Sequence, residues 1–181
     1  MNEGLIPARY AKALYLVGKE RNADKELYAV MKRLDSSFVE QPGLQATLSN
    51  PYVSDSDKES LLSVAAEVSD NSALFADFLK LLARNRRLDM AQGIAKAFIK
   101  LYREENGIYE VHVVSAAPLA PAEEARLKSL VQTHLKGGSM EYSSSVDPSL
   151  IGGFTVSVGN ERIDASISNE LKQLRLNLIS N

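Results

Sequence analysis

At 181 residues, 45% hydrophobic and 24% charged, the chain is long enough for one domain or two small ones and apolar enough to bury a core. It contains no cysteine, which excludes disulfides, thiolate metal sites, iron–sulfur clusters and a cysteine nucleophile. The net charge of −2 is evenly spread: residues 1–105 hold fifteen Lys/Arg against fifteen Asp/Glu and the remainder six against eight, so neither part has the basic excess that general nucleic-acid binding draws on.

The first 105 residues read as helix after helix. Pro7 suits the first turn of a helix over 7–21, and Leu27, Val30, Met31, Leu34 and Phe38 mark a second over 24–39 at helical spacing. Pro42 opens a short third that stops at Asn50, which Pro51 pushes out of the helical region. Ser54 is placed to cap a fourth, with Asp55 and Asp57 in its first turn. A fifth spans 72–85, and a sixth runs from Leu88 through Met90, Ile94, Phe98 and Leu101 to Gly107. Short polar connections predict a compact six-helix bundle.

After Gly107 the period changes from 3.6 to 2. Residues 108–116 predict a strand with Val111 and Val113 on one face and Glu110 and His112 on the other. Pro118 and Pro121 lead into a helix that ends at 136–138. Residues 140–146 and 154–158 predict strands, Gly159 and Asn160 a turn, and Arg162 with Ile163 a short further strand. Ser166 is placed to cap a last helix carrying Ile167, Leu171, Leu174 and Leu178 on one stripe. The fold class is therefore an all-α N-terminal part, 1–105, followed by a small α+β domain, 106–181.

The chain offers little for chemistry. Its two histidines read as structural: His112 alternates with strand valines, and His134 sits near a helix end where a cation complements the dipole. There is no HExxH, no GxSxG and no phosphate loop, because Gly152 and Gly153 follow a turn and enter a strand instead of a helix. Close backbone approach is the use expected of them. No metal, cofactor or catalytic residue is expected. Arg84, Arg86 and Arg87 form the one local basic cluster, read as a solvated helix end whose side chains serve the last carbonyls, with contact to an acidic partner segment as the alternative. The opening MNEGLIPARYAKAL has no basic stretch leading into an apolar one, so no secretory signal is expected. No run reaches about 18 apolar residues, so any membrane connection is expected to be indirect.

Two helices carry more apolar surface than a simple amphipathic helix needs. On the first, Ile6, Tyr10, Ala13, Leu14 and Val17 form the stripe expected to face the core, and Ala8, Ala11, Tyr15 and Gly18 a second, small-residue face. On the fifth, Leu74, Phe75, Phe78, Leu79, Leu81 and Leu82 surround most of the helix. Such a helix is either central in its bundle or part of a groove for a partner helix.

The segment Asp147-Pro148-Ser149-Leu150-Ile151-Gly152-Gly153-Phe154, followed by Val156, Val158, Gly159, Ile163, Asp164, Ser166, Leu171 and Leu174, resembles the C-terminal motif of the ATP synthase delta family, which includes the mitochondrial oligomycin-sensitivity-conferring protein. Residues 8–14, Asn50-Pro51 and 82–88 resemble that family as well, in the same order along the chain. The resemblance implies a non-catalytic stator subunit of the rotary proton-translocating ATP synthase. It implies that the helical part receives the N-terminal helix of an alpha subunit and the α+β part the C-terminal end of the b subunits. From it, Tyr10, Ala11, Leu14 and Tyr15 on one wall, and Phe78, Leu79 and Leu82 on the other, are expected at the alpha contact, so Phe78→Asp is expected to weaken attachment without unfolding the chain. The motif residues Asp147, Pro148, Gly152, Gly153, Asp164 and Ser166 are expected to be mainly architectural. The family implies a peripheral place on the cytoplasmic face of a bacterial plasma membrane, or the inner face of an organelle. A helical RNA-binding or transcription-associated adaptor is the second reading, disfavoured by the charge balance.

Overall fold

The computed structural model describes residues 4–67, 73–135, 137–159, 161–167 and 169. The chain divides into two compact units, Met1–Arg103 and Glu104–Asn181.

In the first unit the helices are α1 (Leu5–Glu20), α2 (Asp24–Glu40), α3 (Gly43–Ser49), α4 (Asp55–Ala65), α5 (Ala73–Arg84) and α6 (Ala91–Asn106), so six α-helices precede the first strand among the described residues. Their ends follow local chemistry. Asn50 is extended at ψ 121, as a residue before proline must be, and its side-chain oxygen accepts from the Tyr52 amide at 2.9 Å. Ser54 Oγ accepts from the Asp57 amide at 3.1 Å and caps α4. The far end of α4 is held by α2, where Ser37 Oγ donates to the Ala65 carbonyl at 2.7 Å and Arg33 Nη1 to the Glu67 carbonyl at 2.9 Å. Two boundaries differ from expectation. Helix α1 begins two residues before Pro7, which a first turn tolerates because its amides have no intrahelical partner. The segment Leu88–Met90 is a separate 3₁₀ turn ahead of α6.

The core of this unit draws on all six helices, with Leu48 of α3, Leu62 of α4 and Phe75, Leu79 and Leu82 of α5 buried alongside α1, α2 and α6. Leu27, Val30, Met31, Leu34 and Phe38 of α2 are buried, as are Ile94, Ala95 and Phe98 of α6. Four aromatic rings close the centre: Tyr28 stacks on Tyr102 at 4.2 Å between centroids, and Tyr15 meets Phe98 and Tyr102 edge-on at 6.3 and 6.2 Å. Such pairs contribute about 0.5–1.5 kcal/mol each beyond their buried area. Arg103 Nε donates to the Tyr28 hydroxyl at 3.0 Å, and burial raises the Tyr102 phenol above its usual pKa, with the nearby Asp24 adding to the effect.

The second unit is a mixed α+β part with a four-stranded sheet of order β2-β1-β3-β4. Its elements are β1 (Ile108–Ser115), α7 (Pro121–His134), β2 (Ser139–Val146), a 3₁₀ turn (Pro148–Leu150), β3 (Gly153–Val158) and β4 (Glu161–Ser166). Strands β1 and β2 are parallel, joined through α7 as a βαβ crossover, while β3 is antiparallel to β1 and to β4. Val113 lies opposite Val156, and Val156 opposite Ile163, so one face of the sheet is an apolar row. Helix α7 covers the Val111, Val113 and Val156 part of it with Leu127 and Val131, while Ile163 on β4 stays 61% exposed. Pro121 takes the first position of α7, and the Glu123 carboxylate accepts from the Ala120 amide at 3.1 Å. Strand β4 is longer than the two residues expected, and α7 stops at His134, short of the glycines. The stripe predicted for the last helix, Leu171, Leu174 and Leu178, lies outside the described residues. So do Asn160 and the His134 side chain.

Candidate partner-binding face

The first unit buries most of the residues predicted at the alpha contact. Ala11, Leu14, Tyr15, Phe78, Leu79 and Leu82 each keep less than a tenth of their surface, and only Tyr10 is half exposed. The two faces assigned to α1 are partly exchanged. Pro7, Ala11, Leu14, Tyr15 and Gly18 face the core, because the small residues let neighbouring elements close in: a Cβ on Gly18 would stand 2.7 Å from Leu27 Cδ1 and 3.4 Å from the Asp24 Cα. Of the stripe expected inside, only Leu14 is buried. Ile6 and Tyr10 are half exposed, Ala13 and Val17 open to solvent, and Leu5 and Leu16 are exposed at 59% and 51%.

Helix α5 is likewise less enveloped than its composition suggested. Phe75, Phe78, Leu79, Leu82 and Ala83 form its buried side, whereas Ala73, Ala76, Asp77, Lys80 and Arg84 line a solvated side on which Leu81 stands 47% exposed. Phe78→Asp would therefore place an unpaired carboxylate in the core, and the substitution tests stability instead of attachment.

α1 and the end of α5 are tied directly. The Asn85 side-chain amide donates to the Tyr10 hydroxyl at 3.0 Å. What results is an apolar stripe of Ile6, Tyr10, Ala13 and Val17 at intervals of four, three and four along α1, about 16 Å long at 1.5 Å per residue. Leu5 and Leu16, both exposed, were passed over by sequence reasoning, whereas Val17 and Leu81 were named but without a side assigned to solvent. The 6-10-13-17 spacing was legible; which of two apolar faces stayed outside was not.

In the second unit the motif residues hold a connection together. Asp147 Oδ1 accepts from the Ser149 amide at 2.9 Å, and hydrogen bonds from the Ser149 hydroxyl and amide keep its carboxyl below the usual aspartate pKa. Pro148 opens the 3₁₀ turn. Gly153 has φ +77 and would put a Cβ 2.2 Å from the Ala165 carbonyl oxygen, while a Cβ on Gly152 would meet Ile167 at 2.5 Å. Asp164 Oδ1 accepts from both the amide and hydroxyl of Ser166, at 3.1 and 2.6 Å, and Ser166 Oγ accepts from the Asn169 amide at 3.2 Å.

His112 is held at both ring nitrogens, by Ser143 Oγ at 2.9 Å and Ser145 Oγ at 3.1 Å. Because the Ser143 hydroxyl donates to the Val111 carbonyl at 3.3 Å, it accepts from Nδ1, which leaves Nε2 to accept from Ser145. That arrangement is a cross-strand clamp between β1 and β2. Lys128 pairs with Glu124 at 2.7 Å and lies 4.3 Å from the Tyr142 ring centre; burial, then Glu124, raises the Tyr142 phenol. Among the described residues no group of three or more His, Asp or Glu is placed to hold a metal ion, and no helix is long and apolar enough to cross a membrane.

The described residues thus form a helical part with an outward apolar stripe on α1, followed by an α+β part whose turn and hairpin are held by the motif residues. Residues 6–178 match the family model described as ATP synthase delta (OSCP) subunit. The ATP synthase subunit delta of Parabacteroides distasonis is 36% identical over 181 residues, covering 100% of this chain and 99% of the relative. Those of Bacteroides thetaiotaomicron and Prochlorococcus marinus are 35% and 34% identical over 180 and 174 residues, covering 99% and 96% of this chain and 96% of each relative. The fold is similar to a chain in the cryo-EM structure of the Toxoplasma gondii mitochondrial ATP synthase hexamer, with a TM-score of 0.74 at 22% identity over 96% of this chain and 97% of the other. The chain belongs to the ATP synthase delta (OSCP) subunit family. It is a non-catalytic stator component of an F-type ATP synthase, serving ATP synthesis and proton transport.

Proposed function

We propose that the helical unit acts as a six-helix bundle that receives the N-terminal helix of an alpha subunit of the catalytic head, and that the small α+β domain receives the C-terminal end of the b subunits of the peripheral stalk. A rotary machine loses its work if the head turns with the shaft, so the connector has to bind tightly at both ends. Nanomolar attachment corresponds to about 12 kcal/mol, or about 500 Å² of apolar area at roughly 25 cal/mol per Å² before association costs. The observation that carries the reading is the outward stripe of Ile6, Tyr10, Ala13 and Val17 on α1, which the Asn85–Tyr10 hydrogen bond ties to the end of α5. Tyr10 touches the partner; Ala11, Leu14, Tyr15, Phe78, Leu79 and Leu82 form the floor beneath. A contact of this kind tolerates elastic strain, because apolar attraction has no preferred direction.

Asp147, Pro148, Gly152, Gly153, Asp164 and Ser166 keep the second unit's turn and hairpin in place for the stalk and do not themselves select it. The bacterial relatives support a peripheral place at the cytoplasmic face of the plasma membrane, with the membrane reached through the complex. Calorimetry of the full chain with a peptide copying the alpha N-terminal helix tests the head contact. Saturable one-to-one binding with a negative heat-capacity change supports it, and no binding at high peptide concentration overturns it.

A further inference from the structure

The basic turn after α5 has no structural work to do with its charges. Three of the last carbonyls of α5 are satisfied by backbone amides: Leu81 by Asn85 at 3.2 Å, Leu82 by Arg87 at 2.9 Å and Ala83 by Arg86 at 2.8 Å. The crossed pair from Arg87 and Arg86 is a Schellman motif, so the arginine side chains are not needed as caps, contrary to the sequence expectation. Arg86 occupies its left-handed position at φ +53, where glycine is the favoured residue and a side chain carries a strain penalty. Among the described residues the guanidinium groups of Arg84, Arg86 and Arg87 form no hydrogen bond or ion pair, although Lys80, Lys96 and Lys128 each pair with a carboxylate. Arg84 and Arg86 are exposed. Asn85, between them, is anchored to Tyr10 and so sets this charge at the margin of the α1 stripe.

We propose that turn 84–87 is an anion-reading edge of the partner site: it binds a carboxylate-bearing segment of the helix that lies on the α1 stripe and thereby sets the direction in which that helix docks. The inference rests on the head-contact reading above and adds charge selection to it. The apolar stripe alone allows a helix to lie either way along α1, since burial is non-directional, whereas a cation pair at one end distinguishes the orientations. A protein segment is favoured over a polyanion because the chain is acidic overall and the basic residues adjoin an apolar stripe, which neither nucleic acid nor phosphate fills.

The test uses the full chain as wild type, Arg84→Gln/Arg86→Gln, Arg86→Gly and the control Lys25→Gln. Each is titrated calorimetrically with the alpha N-terminal peptide and with the same peptide carrying Asn and Gln for its Asp and Glu. The expected result is about fivefold weaker binding of the native peptide by the double variant, as for two exposed charge pairs. The Lys25→Gln control leaves binding unchanged, and the neutralised peptide binds all four proteins alike. Raising salt weakens the wild-type complex and leaves the double variant unaffected. Arg86→Gly is expected to bind more weakly yet melt about 2 °C higher, which separates a binding role from a structural one. Native-peptide binding that is indifferent to Arg84 and Arg86 overturns this inference alone, and no peptide binding by wild type overturns the head contact with it. Arginine-dependent binding of single-stranded RNA or anionic vesicles, with peptide binding unaffected, would also overturn it and reassign the turn to that polyanion.

Discussion

Gly18 earns its place by what it lacks. It faces the start of α2, where an added methyl would lie 3.4 Å from the Asp24 Cα and press on Leu27 Cδ1 at 2.7 Å, a side chain with only 1% of its surface free. Alanine in a helix interior normally gains up to about 1 kcal/mol over glycine, but overpacking costs about 1–3 kcal/mol. Gly18→Ala is therefore expected to destabilise the chain by about 1 kcal/mol, measured as a lower midpoint in urea with an unchanged slope. Asp147 makes a prediction of opposite kind, about pH. Its folded pKa is lowered by the Ser149 hydrogen bonds, so its contribution is present above the ordinary aspartate pKa and is lost as pH falls through the lowered value. The Ser149 amide resonance should move only below the usual aspartate range on acidification, and in Asp147→Asn that inflection should vanish.

Helices α1 and α5 show why apolar content alone misleads about a face. α1 carries two apolar stripes roughly a third of a turn apart, and the core took the one with small residues because Ala11 and Gly18 allow close packing that Val17 and Leu16 would block. On α5 the contrast between Phe78 at 7% and Leu81 at 47% exposure separates a packing position from a surface one. Phe78→Asp is expected to cost at least about 3 kcal/mol and to leave much of the chain unfolded. Leu81→Asp is expected to leave the melting temperature within about 2 °C of wild type and to weaken the alpha peptide about tenfold by calorimetry, since a surface change leaves packing intact. Equal peptide affinity in a folded Leu81→Asp protein would remove α5 from the contact.

Within the assembled synthase, Leu81→Asp combined with a charge on the α1 stripe makes a mechanical prediction. Membranes whose delta subunit carries Val17→Asp with Leu81→Asp should hydrolyse ATP at a near-normal rate but pump protons poorly. A weakly held head dissipates torque that a fixed head transmits. Proton pumping scored by fluorescence quenching beside phosphate release on one preparation separates the two. Parallel loss of both would point to a misassembled head, and retention of both would exclude the stripe from load-bearing contact.

Much of this chain was legible from residue order. Elements showed themselves through local rules: Pro51 ended α3, Ser54 capped α4, and the change of period at Gly107 marked the step from helices to sheet. The glycine pair at the start of β3 signalled close approach, because only a missing Cβ permits it, and the family motif around it carried the identity. Position in three dimensions answered what local rules leave open. Periodicity identifies an apolar stripe but not what lies against it, so the outward face of α1 became visible only when its neighbours were in place. The parallel pairing of β1 with β2 depends on a crossover through α7 that alternation cannot report. The role of Arg84, Arg86 and Arg87 changed for the same reason: whether a helix end needs its basic side chains depends on which backbone amides reach its carbonyls, and that is a property of the folded turn.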